Sequence, residues 1–155
     1  KREIWAQWIR KYLPYAIAYS HAPMIDRIGI VPATHGAAFR AYTNLCKKHA
    51  IAPKHQIRLD GSLYLKSKAY QEEAFPLATT HIKGDELYPE IMLASIIAKV
   101  TRDRMMQTYT EQYPGYSFHT NMGYGSQEHH RALENKGITP LHRLTFLKRF
   151  GTISR

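Results

Sequence analysis

Pro89 and Pro114 bracket the run of sequence that most constrains this fold. Pro89 suits the first turn of a helix, where a missing N–H costs nothing. Pro114 and Gly115 stop that helix again. Between them, Ile91, Ala94, Ile97, Ala98 and residues 100–105 give an apolar face at helical period. Small Ala94, Ser95 and Ala98 are expected to let the helix lie close on a sheet. An acid on a glycine turn precedes it (Lys83-Gly84-Asp85), and a Gly123-Tyr124-Gly125 loop follows it.

The rest of the chain reads as alternating strands and helices, hence an α/β fold in one domain over residues 1–155, with 126–155 a helical C-terminal extension. Residues 1–13 carry Ile4, Trp5, Trp8, Ile9 and Tyr12 on one helical face. Residues 16–20 read as a short apolar strand and 25–31 as a connection. Thr34 is placed to cap a helix bearing Phe39, Tyr42, Leu45, Cys46 and His49. Cys46 and His49 read as packing residues rather than ligands. Residues 56–60 form a strand ending on Asp60, followed by Gly61, and residues 77–82 form another leading to Asp85. The polar stretch 62–76 between them reads as a surface loop. Ser126 caps a helix over 127–136, with Glu128 in its favourable first turn and Gly137 as its stop. The adjacent His129 and His130 cannot share a ligand face and read as surface residues. After Thr139 and Pro140 a tail follows, expected to be pinned by Phe146 and Phe150.

With 155 residues, 44% hydrophobic and 22% charged, the chain is long enough for one core. The single Cys46 excludes an internal disulfide framework and suits a reducing compartment. No apolar run approaches the ~20 residues of a membrane span, and no secretory pattern opens the chain. The expected location is cytoplasmic. Net charge is +10, spread over Lys47, Lys48, Lys66, Lys68, Arg102, Arg104, Lys148 and Arg149 rather than confined to a tail. Such a field attracts polyanions and suits phosphate neutralisation, although it also serves solubility.

Two strands ending in acids put both carboxylates on the carboxyl rim of a sheet, where α/β folds place their chemistry. The spacing of Asp60 and Asp85 allows either parallel or antiparallel neighbours. Hard oxygen ligands on rigid strand ends suit Mg²⁺ or Mn²⁺. Two such ions would activate a water and stabilise a leaving oxygen of a phosphodiester. Alone, each acid beside a glycine is equally a turn. Asp103 reads as a structural partner of Lys99 one turn away. Lys99 and Arg102 are placed to meet phosphates or to serve the surface. Tyr124, flanked by glycines, is either a presented ring or a cover over the core edge.

Several of these strings together resemble the ribonuclease HII (type 2 ribonuclease H) family. They are Lys83-Gly84-Asp85, the helix segment 95–104 (SIIAKVTRDR), the 113–116 turn (YPGY) and Gly123-Tyr124-Gly125. The likeness extends upstream to Asp60-Gly61 and downstream to Pro140-Leu141-His142-Arg143. Met92-Leu93 and Asn121-Met122 depart from the usual family residues. The resemblance implies a ribonuclease H-like mixed sheet flanked by helices. It implies a metal-dependent endonuclease (Mg²⁺ or Mn²⁺) acting on the RNA strand of RNA–DNA hybrids or on single ribonucleotides in duplex DNA. By the same resemblance Asp60 and Asp85 are catalytic metal ligands, Tyr124 senses the 2′-hydroxyl, and Lys99 and Arg102 contact substrate. The family uses four carboxylates, two of them from an N-terminal Asp-Glu-Ala-Gly-Arg-Gly strand that this sequence does not contain. Glu3 and Asp26 do not match it. The expectation is therefore an N-terminally incomplete sheet, with a missing segment or partner chain supplying the rest, and little cleavage by these residues alone. The alternatives are a non-catalytic nucleic-acid-binding module and one half of a split nuclease.

Overall fold

A computed structural model describes residues 1–51, 56–61, 63 and 78–147. The expected loop over 62–76 falls almost wholly outside them, as do Leu77, Lys148, Arg149 and Phe150. The described residues form a largely helical α/β arrangement around a small parallel sheet.

The long helix is α5, Pro89–Gln112, and it forms where the two prolines place it. Tyr88, ahead of Pro89, is extended (φ −124°, ψ 118°), the conformation a following proline imposes. Helix α1, Arg2–Tyr12, packs across α5. Ala6 and Ile9 interlock there with Ile97 and Val100, all four buried. Each large aliphatic in this cluster contributes about 1.5–3 kcal/mol by burial. Arg10 donates to Thr101 Oγ1 at 3.3 Å, and Arg104 pairs with Glu3. That ion pair is half exposed, so it adds at most about 1 kcal/mol.

The face expected to be buried on α1 is largely outside. Small Ala6 lets the two helix axes approach, so the helix turns its Ala6–Ile9 stripe inward. Trp5 is 51% exposed, and Ile4, Trp8 and Tyr12 are exposed as well. The rings of Trp5, Trp8 and Tyr12 instead contact one another, with centroids 6.1 and 5.4 Å apart.

Residues 16–20 are not a strand, because no neighbour supplies a backbone ladder among the described residues. A side chain from further along the sequence holds them instead: Arg40 donates to the Tyr19 carbonyl at 3.0 Å. Residues 25–31 are helical rather than a connection. Helix α2 is Ala22–Ile28 and α3 is Ile30–His49, broken only at Gly29 (φ +87°). Thr34 therefore lies inside α3, where its hydroxyl donates to the Ile30 carbonyl at 2.8 Å instead of capping. Cys46 is half-buried and His49 exposed.

Strands β1 (Ile57–Asp60) and β2 (Ala78–His81) pair in parallel, with Asp60 opposite His81. Two residues beyond β2, Lys83 adopts a left-handed conformation (φ +54°) and starts the one-turn helix α4, Gly84–Leu87. Asp85 thus lies in a helical turn past the strand end. Ala94, Ser95 and Ala98 are exposed, since the two described strands meet only the start of α5, around Ile91.

A second cluster closes the C-terminal part. After α5 come the one-turn helix α6 (Phe118–Asn121) and α7 (Gln127–Lys136). The Ser126 hydroxyl accepts from the His129 N–H at 3.2 Å, as a cap should, and Gly137 ends the helix. Tyr116, Phe118, Ala132 and Leu133 pack together. Tyr116 Oη donates to the Gly137 carbonyl at 2.8 Å. Helix α8 (Leu144–Leu147) is docked by Asp26 of α2, which accepts from the Leu144 and Thr145 amides and the Thr145 hydroxyl. Burial raises the Asp26 pKa, but the three hydrogen bonds and Arg143 outweigh it and hold the carboxyl below its ordinary value. Phe146 is 49% exposed, so Asp26, rather than that ring, anchors the tail.

Candidate active site

Parallel pairing carries β1 and β2 in one direction, so Asp60 and the turn after β2 share the carboxyl rim. One hydrogen bond ties them. The Gly84 N–H donates to Asp60 Oδ1 at 2.8 Å. Gly84 is buried, and a Cβ there would lie 2.6 Å from Ile91 Cδ1 and 3.3 Å from Asp60 Oδ1. Only glycine lets the turn approach this near. The next residue, Asp85, is exposed. The Gly61 N–H donates to the His81 carbonyl at 2.8 Å, extending the rim by one bond beyond the ladder.

The rim is braced from α5. Arg58 pairs with Glu90 and lies 4.7 Å from the centroid of the Tyr88 ring, which in turn packs 4.4 Å from His81. Hydrogen bonds from its own backbone amide and from Arg58 hold the Glu90 carboxyl below its ordinary value. Lys83 Nζ approaches Glu86 Oε1 at 3.6 Å, on the surface.

The donor set is that of a hard cation: Asp60 keeps Oδ2 clear of the Gly84 bond, and Asp85 faces solvent. Among the described residues, no group of three or more His, Cys, Asp and Glu side chains converges to hold a metal. Asp60 and Asp85 are oxygen donors of the kind a divalent ion takes, and among the described residues they do not make up a whole ligand set.

The expected substrate residues lie along α5 and beyond it. Lys99 is exposed and forms no ion pair with Asp103. Arg102 donates to the Met122 carbonyl at 2.9 Å and so reaches the glycine loop. Tyr124 is 75% exposed. Beside it runs a groove of about 620 Å³ whose lining includes Arg102, Gly123, Gly125, His130 and Arg143. Among the described residues no carboxylate lines it, and neither Asp60 nor Asp85 borders it.

His129 is a correction. It is only 5% exposed, and it stacks on buried His142 with ring centroids 5.2 Å apart. Both rings sit against Tyr116 and Phe118. Its place at three and four residues before Ala132 and Leu133 is the signal that reveals it. Asn121 is also buried, and sequence spacing does not mark it as a site residue. It links Tyr116 to the glycine loop.

A sequence model of the ribonuclease HII family matches residues 2–149. This chain belongs to the ribonuclease HII family. It is 38% identical over 146 residues to a ribonuclease HII of Cereibacter sphaeroides, covering 94% of this chain and 64% of that one. It is 36% identical over 151 residues to one from Limosilactobacillus reuteri, covering 94% of this chain and 52% of that one. For one from Rickettsia bellii the identity is 36% over 148 residues, covering 96% and 69%. The chain thus spans between about half and two thirds of the length of these relatives. No helix among the described residues is long and apolar enough to cross a membrane.

Proposed function

We propose that this chain carries part of a metal-dependent endoribonuclease that cuts the RNA strand of RNA–DNA hybrids, or single ribonucleotides in duplex DNA, in the cytoplasm. The observation that carries the reading is the Gly84–Asp60 hydrogen bond, which sets the Asp60 carboxylate beside the turn bearing Asp85. Membership of the ribonuclease HII family supports it. Asp60 and Asp85 would hold Mg²⁺ or Mn²⁺ with further ligands from outside the described residues. When bound, a pair of such ions supplies a nucleophilic water and charge stabilisation at the leaving oxygen.

The chain's own residues do the rest. Asp60, fixed by the Gly84 N–H, presents one oxygen in a set direction rather than rotating freely. Exposed Lys99 and the N–H groups of Arg102 not used on Met122 meet backbone phosphates. Tyr124, exposed on its loop, stacks near the ribose and reads the 2′-hydroxyl, the group that separates RNA from DNA.

The test is cleavage of a labelled hybrid in Mg²⁺ and in Mn²⁺, by the chain alone and with an Asp-Glu-Ala-Gly-Arg-Gly segment supplied in trans. Cleavage that needs the metal and falls at least about a hundredfold in Asp60→Asn and Asp85→Asn supports the reading, since each tenfold is about 1.4 kcal/mol of barrier. Hybrid binding without cleavage in either format would instead make this a binding module.

A further inference from the structure

We propose that Asn121 is a positioning residue for ribose recognition, clamping the turn that presents the Tyr124 ring without itself touching nucleic acid. This rests on the ribose-reading role of Tyr124. The Tyr124 N–H donates to the Asn121 carbonyl at 2.8 Å, closing a turn around Met122 and Gly123. Both central residues are left-handed, with φ +50° at Met122 and +77° at Gly123. Glycine takes that conformation without strain, but a methionine there costs about 1–2 kcal/mol.

Asn121 holds the turn shut. The residue is 9% exposed, and its Oδ1 accepts from the Gly123 N–H at 2.8 Å. Its Nδ2 donates to the Tyr116 carbonyl at 2.7 Å, which ties the turn to the buried Tyr116–Phe118 cluster. From the opposite side, Arg102 donates to the Met122 carbonyl. The Tyr124 side chain forms no hydrogen bond among the described residues, so this backbone clamp fixes where the ring begins. A flat, exposed ring discriminates ribose from deoxyribose only if its distance to the sugar is set in advance.

Two readouts on the whole chain test this. The first is hydrogen exchange at the Gly123 amide, by NMR and without nucleic acid. It should run about fivefold faster in Asn121→Ala, the worth of one hydrogen bond of about 1 kcal/mol, while the amides of α5 keep their protection. The second is the affinity ratio between an RNA–DNA hybrid and the DNA duplex of the same sequence. Asn121→Ala should lower that ratio to the level of Tyr124→Ala, and the double variant should lower it no further. A residue with only a folding role would weaken both ligands equally and add to Tyr124→Ala. Exposed Arg102→Met loosens the same turn from the other side without risk to the core, and it should also speed Gly123 exchange. Unchanged Gly123 exchange in both variants would overturn the clamp. If exchange accelerates but Tyr124→Ala leaves the ratio unchanged, the clamp is upheld and the ribose reading of Tyr124 is what fails.

Discussion

Asp60 and Gly84 are joined by a hydrogen bond of 2.8 Å from the glycine amide to the aspartate Oδ1. That bond converts two separate acid-bearing segments into one rim, because Asp85 is the residue that follows. It also makes the rim sensitive to anything that pushes the turn away from β1.

Gly84→Ala is such a change. Its Cβ would fall 2.6 Å from Cδ1 of buried Ile91 and 3.3 Å from Asp60 Oδ1, so the methyl and the turn must both shift. Overpacking of this kind costs about 1–3 kcal/mol. The expected result is a lower denaturant midpoint with an unchanged slope in urea unfolding. An unshifted midpoint would mean that the turn is looser than this geometry requires.

The buried histidines predict a pH dependence of stability. Burial lowers the pKa of His129, partly opposed by its bond to the Tyr116 carbonyl and reinforced by His130. Burial and the neighbouring His129 likewise lower that of His142, against the opposing contact with Thr139. With folded values below the unfolded one near 6.5, the unfolded state binds more protons in between. Stability is then full above about pH 6.5 and declines as pH falls through the lowered folded values. Thermal melts from pH 7.5 to 5 should show this loss, and His142→Gln should flatten it. An equally steep decline in that variant would assign the effect to other groups.

How far these features could be read in advance differs by element. The helix from Pro89 and the cap at Ser126 rest on local chemistry, a missing N–H and a hydroxyl, and both are visible in a few residues. The turns at Asp60 and Asp85 rest on local chemistry too, each acid lying beside a glycine. Helix α2 and the first turn of α3 were not legible, because Pro23, Gly29 and Pro32 look like breakers, whereas the body of α3 from Thr34 to His49 was. Both prolines in fact occupy first turns, where they are tolerated. The inward face of α1 turned on Ala6, whose smallness matters only once α5 lies against it. The role of Asn121 depends on Tyr116 and Gly123 meeting in space, which spacing alone does not show.

Phosphate contact by Lys99 predicts a salt effect. Hybrid binding should weaken as a power of salt concentration, and Lys99→Ala should reduce that slope by about one unit while affecting hybrid and DNA duplex alike. Filter binding across a salt series measures it. An unchanged slope would return Lys99 to a solubilising role.

Whether Asp60 and Asp85 share a divalent ion is tested, without any need for turnover, by Mn²⁺ binding followed by electron paramagnetic resonance. Asp60→Asn and Asp85→Asn should each weaken Mn²⁺ binding by about tenfold or more, or about 1.4 kcal/mol, and the double variant should weaken it by less than the product of the two. Mn²⁺ affinity unaltered by either substitution would contradict a shared ion.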